Sequence, residues 1–166
     1  MRRTATRLGA TLGISAVLLA GPASARNPSR EAAPTPTSFE FQVIVLTNAE
    51  REKRGLGPLV LHPVLMNSAR WMAEDMAAKG YFDHTDSLGR GVGLRAEAFG
   101  YDYRIVGQNI AAGHLSARDV VDDWMKSPGH RANILRPEFR EIGVAYLPAQ
   151  GSLYRRYWVL DFGVRR

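Results

Sequence analysis

The chain has 166 residues, no cysteine and a formal net charge of +6, with 45% apolar residues. Without cysteines there is no disulfide framework, so stability rests on a packed core even in an oxidising compartment. Three of the basic residues, Arg2, Arg3 and Arg7, sit in an acid-free leader, so the remainder carries only +3, and its basic clusters, Arg155-Arg156 and Arg165-Arg166, are too sparse for nucleic-acid binding.

The leader has a basic start, an apolar run from Leu8 to Ala20 and the small-residue site Ala23-Ser24-Ala25. This is the pattern of a secretory signal over residues 1–25, cleaved near Ala25 to give a secreted or periplasmic product. Arg2-Arg3 also fits a twin-arginine route, although Ala5-Thr6 follows where a more apolar pair would strengthen it. The run falls short of the roughly 20 residues a permanent span needs, and no second such run follows, so the product is not expected to span a membrane. Residues 26–37 lack the large apolar side chains that offset ordering entropy and read as a disordered tether. Residues 38–166 remain as one domain, expected to be monomeric.

Thr37 lies three residues before Glu40, the spacing of a capping box, and predicts a helix through Phe41, Ile44, Val45 and Asn48 to about Arg54, ended by Gly55 and Gly57-Pro58. Pro63 predicts the start of a second helix, with Leu65, Ala69, Met72 and Met76 inward and Gly80 as its stop. The segment Tyr81 to Asp86 reads as a loop, followed by a Gly-rich connection with a short helix near Leu94 to Phe99. Ser116 and Asp119 cap a helix whose Val120, Val121, Trp124 and Met125 face inward. Ser127 is then expected as N-cap of a further turn with Pro128 at its first position. Alternation at Ile142, Val144 and Tyr146, and from Tyr154 through Arg156, Trp158 and Leu160 to Phe162, predicts two antiparallel strands joined by a turn over Pro148 to Gly151. Helices followed by a hairpin, without βα alternation, give an α+β domain.

His130 falls in a first helical turn, where the helix dipole disfavours imidazolium and leaves a neutral ring suited to a metal or a general base. The plainer reading has it packing on Trp124 and bonding a carbonyl. His84, between Asp83 and Asp86, is its potential partner, whereas His62 and His114 read as incidental. Two histidines plus a carboxylate would meet the ligand set of a catalytic zinc, but the two are far apart in sequence and spacing does not bring them together. Ser127 is better explained as a cap than as a nucleophile. Gln108 and Asn109 are expected to turn their amides onto loop backbone groups.

Several motifs stand in order: Asn48-Ala49-Glu50-Arg51, Tyr81-Phe82-Asp83-His84, Gly107-Gln108-Asn109-Ile110-Ala111, Trp124 through Leu135, Ile142-Gly143-Val144 and Tyr157 through Gly163. Together they resemble the CAP superfamily, the SCP-domain proteins that include cysteine-rich secretory proteins, antigen 5 and pathogenesis-related proteins, and are nearest its cysteine-free bacterial branch. The resemblance implies a three-layer α-β-α sandwich around a small, mainly antiparallel sheet, with a cleft where many members place two histidines and two glutamates, sometimes with zinc. His84 and His130 match the histidines, Gln108 replaces the first glutamate and Ser127 falls at the second. An amide is a poorer zinc partner than an anion and cannot act as a general base, although Asp83 or Asp86 could substitute. The preferred expectation is a non-enzymatic binding module whose cleft is lined by His84, Gln108, Asn109, Ser127 and His130. It would take a small molecule, lipid, peptide or cell-envelope component and require no cofactor. The alternative is a zinc-dependent, peptidase-like hydrolase with His84 and His130 as metal ligands.

Overall fold

The computed structural model describes residues 34–166; the leader and residues 26–33 of the expected tether lie outside the described residues. The first helix, α1 (Ser38–Glu52), starts with the predicted capping box: Glu40 N–H donates to Thr37 Oγ1 at 3.3 Å, and Thr37 N–H to Glu40 Oε2 at 2.7 Å. Glu40 is also nearly fully buried, and its other oxygen accepts from Tyr146 N–H at 3.1 Å. One carboxylate thus caps the helix and ties it to the sheet.

A two-residue strand, β1 (Val60–Leu61), precedes α2 (Pro63–Lys79), which Gly80 ends in the left-handed region at φ 70°. Then come α3 (Val92–Ala98), β2 (Tyr103–Ala112), α4 (Ala117–Lys126), α5 (Pro128–Ile134), β3 (Glu141–Pro148) and β4 (Arg156–Arg165). The strands form one sheet in the order β1-β3-β4-β2; β1 runs parallel to β3 and the other pairs are antiparallel. Its two faces carry separate cores. Val144, Trp158, Leu160 and Phe162 pack under α1, α4 and α5 with Val43, Val120, Val121, Trp124 and Ile134, while Ala145, Tyr157 and Val159 meet Ala69, Met72 and Met76 of α2. Because β4 is covered on both faces, Tyr157 to Gly163 is buried without a break, and Asp161 is the one charged residue in that run.

The motif Asn48 to Arg51 is structural. Asn48 exchanges two hydrogen bonds with the Leu59 backbone, and Arg51 donates to the carbonyls of Gly57, Ile134 and Arg136, so the first helix holds both the approach to β1 and the end of α5. No helix of the described residues is long and apolar enough to cross a membrane.

Three readings are corrected and one element is added. Tyr103–Ala112, expected to contain loop amides, is a ten-residue strand held by β4 despite the weak strand preference of its Gly, Gln, Asn and Ala residues. The short strand β1 was not foreseen. Tyr154 lies outside β4, because the connection runs from Ala149 to Arg155, where Arg155 takes φ 63°. Ser127 occupies the N-cap position of α5 but makes no side-chain cap bond. It is also the C-cap of α4, directly after Lys126, and its ψ is 120°, against 167° and 158° at the caps Thr37 and Ser116, whose hydroxyls do bond.

Candidate functional site

The strand β2 forms one edge of the sheet, and its consecutive side chains alternate between layers. Gln108 turns toward α2 and Asn109 toward α5. The Asn109 amide donates to the His130 carbonyl at 3.0 Å and accepts from Asn133 at 2.9 Å, fixing the turn that carries His130 against the strand. Outward carbonyls of this edge are covered by side chains: Asn133 donates to Gln108 O at 3.1 Å and Trp124 to Ile110 O at 3.2 Å. A covered edge resists pairing with another strand.

Gln108 is buried between two partners, with Nε2 donating to Asp161 Oδ1 at 2.8 Å and Oε1 lying 2.9 Å from His84 Nδ1. Asp161 Oδ2 accepts from Ser68 of α2 at 2.8 Å, and Arg95 Nη2 lies 3.9 Å from Asp161 Oδ1. Both charged side chains are fully buried, and among the described residues no group accepts a hydrogen bond from the Arg95 guanidinium. Burial holds the Asp161 carboxyl above the ordinary carboxylate range, with Arg95, Gln108 and Ser68 offsetting only part of that rise. An ordered polar chain therefore runs from α3 through the sheet to the loop histidine.

His84 and His130 approach this edge from opposite layers, and they are near enough that His84 depresses the His130 pKa. Burial is the larger cause of that depression, so the ring is disposed to be neutral. Since the folded-state pKa lies below the unfolded value near 6.5, the unfolded chain takes up the proton more readily, and stability is lost as pH falls below about 6.5. His62 shifts the same way by burial. Denaturant unfolding at pH 7.5 and 5.5 should show lower stability at 5.5, and His130→Gln should shrink the difference without abolishing it.

An open cleft of about 650 Å³ lies beside His130, lined by Phe82, Ile110, Trp124, Ser127 and Tyr154, among others. His84, Gln108 and Asn109 are not among its lining residues. Phe82 and Tyr154 pair at 5.6 Å between ring centroids on one wall. His114, read as incidental, also lines it, with Nε2 2.7 Å from Asp123 Oδ2. His62 is structural: its Nδ1 accepts from Val64 N–H at the start of α2. The cleft aromatics were missed because Phe82 lay in a loop motif and Tyr154 in an apparent strand alternation.

The candidate replacement acids are already engaged. Asp83 accepts from Thr85 N–H at 2.7 Å, and buried Asp86 accepts from the backbone of Leu88 and Arg90 and from the Arg90 guanidinium. Among the described residues no group of three or more His, Cys, Asp or Glu is placed to hold a metal ion. A catalytic zinc uses three protein ligands, so two imidazoles and a neutral amide do not fit one.

The profile of the Cysteine-rich secretory protein family, CAP, matches residues 45–162. YkwD of Bacillus subtilis is 40% identical over 133 residues, covering 80% of this chain and 51% of YkwD. The membrane protein YlbC of the same organism is 29% identical over 126 residues, covering 76% and 34%. The chain thus spans about half the length of these relatives or less. An extracellular SCP-domain protein from Bacillus anthracis superimposes with a TM-score of 0.68 at 26% identity, covering 77% of this chain and 40% of that one. An outer surface protein from Borrelia burgdorferi shares the fold, with a TM-score of 0.71 at 20% identity over 80% of this chain and 97% of that one. The sandwich, the ordered motifs and the profile match agree: this chain belongs to the CAP family.

Proposed function

We propose that this protein is an exported binding module whose cleft beside His130 takes a ligand without hydrolysing it. The observation that carries this reading is the state of the polar edge next to the cleft: Gln108 stands where a family carboxylate is expected, and its amide is held by Asp161 and His84. Asp161 is buried beneath it, and Asp86 is bound within its own loop. Neither offers a carboxylate to a substrate in the cleft, and the fold alone does not supply a hydrolytic activity. The lining combines Phe82, Tyr154, Trp124 and Ile110 with His130, Ser127 and Lys126, which suits a small molecule, lipid or peptide with an apolar body and a polar end. Export is supported by the leader and by the extracellular SCP-domain relative.

Mass spectrometry of extracts from the purified leader-free protein should recover a bound compound, and Phe82→Ala with Tyr154→Ala should lose it. Peptide and ester substrates should stay intact with or without a chelator. Turnover that a chelator abolishes would replace this reading with the zinc-dependent hydrolase.

A further inference from the structure

The motif from Tyr157 to Gly163 marks the family, but Asp161 within it has a task that the binding reading does not use. Asp161 is fully buried on β4 directly opposite Gln108 in the β2 register. The Gln108 Nε2 donates to Asp161 Oδ1 at 2.8 Å, and a carboxyl oxygen in that position accepts, so the Gln108 NH₂ faces it. That leaves the Gln108 carbonyl facing His84 Nδ1 at 2.9 Å, and a carbonyl oxygen only accepts. His84 must then carry a proton on Nδ1, and in the neutral ring that leaves Nε2 with a bare lone pair. Ser68, at 2.8 Å from the second Asp161 oxygen, prevents the carboxylate from turning away.

We propose that Asp161 is a positioning residue that acts through Gln108 to lock His84 in the Nδ1–H tautomer, so that the exposed loop histidine presents Nε2 as a hydrogen-bond acceptor. An unconstrained neutral imidazole prefers the opposite tautomer, so the lock selects the less common one. The consequence is specificity at the loop: a polar group that reaches His84 from beyond the cleft lining offers it an O–H or N–H donor rather than an acceptor. This last step rests on the binding reading, whereas the tautomer belongs to the protein alone. Had position 108 been a carboxylate, it would have met Asp161 as a like charge at hydrogen-bond distance, so the amide and the buried acid form one device.

The test is long-range nitrogen–proton NMR of the histidine side chains in the leader-free protein at pH 8. In wild type, His84 Nδ1 should show the shift of a protonated nitrogen and Nε2 that of an unprotonated one. In Gln108→Met the signals should move toward the Nε2–H form, because the acceptor at Nδ1 is gone. Asp161→Asn should give averaged shifts, since an Asn side chain accepts either face of the Gln108 amide. Should that variant not fold, the charge-free pair Arg95→Met with Asp161→Asn serves the same purpose. A wild-type His84 protonated on Nε2 would overturn the proposal, as would an unchanged Nδ1–H tautomer in the folded variants lacking Asp161. The tautomer is read with no ligand added, so its failure would leave ligand recovery standing, and failed recovery would leave the tautomer standing.

Discussion

Asp161→Asn is expected to lower the unfolding free energy by about 3–5 kcal/mol, the scale for removing one partner of a buried charge pair. The variant keeps the shape of the side chain and can still bond Gln108 and Ser68, so the loss isolates the charge. Arg95 would remain fully buried without its counter-ion, and a guanidinium cannot discharge by losing a proton. The reverse change, Arg95→Met, should be milder, because the stranded carboxyl can take up a proton, and burial already pushes it in that direction. The double variant should lose less than the sum of the two singles, since the residues are coupled. Equilibrium denaturation of the four proteins measures all three differences. Strict additivity would mean that Arg95 and Asp161 do not act as a pair.

Gly143→Ala should cost roughly 3 kcal/mol, the upper end for overpacking, because the added methyl meets backbone. A Cβ built at Gly143 would overlap the Leu65 carbonyl group and the Met66 nitrogen, so α2 runs directly against β3 at this point. Main chain inside a helix has no rotamer with which to yield. The helix would have to lift from the sheet, loosening the layer that carries Ser68 and, beyond its end, the His84 loop. A denaturation midpoint close to wild type would show that α2 can shift without loss. At Gly151, where a Cβ would meet nothing, the same substitution should have little effect.

Much of this architecture was legible because helix ends carry local chemistry. Thr37 with Glu40, Pro63 with Gly80 and Ser116 with Asp119 marked three helices from short-range hydrogen bonding and backbone preference alone. Ser127-Pro128 gave the same signal, yet the Ser127 side chain makes no cap bond at this junction, where one residue closes α4 and opens α5. The strand β2 was hidden since Gly107, Gln108 and Asn109 are strand residues only by virtue of pairing with β4, far along the chain. The same distance hid the polar chain. Gln108 was conspicuous as an amide in place of an acid, but nothing near it in sequence pointed to Asp161 or Arg95. Likewise, the helices and loops gave no hint that His84 and His130 would approach one strand edge from opposite layers, which is a property of the stacking.

The central claim, that this edge serves a binding cleft and not a zinc centre, is tested most directly by calorimetric zinc titration of the leader-free protein beside His84→Ala and His130→Ala. Two imidazoles and an amide should give no saturable binding at micromolar zinc, and the two variants should be indistinguishable from wild type. Saturable micromolar binding in wild type that disappears in both histidine variants would contradict it.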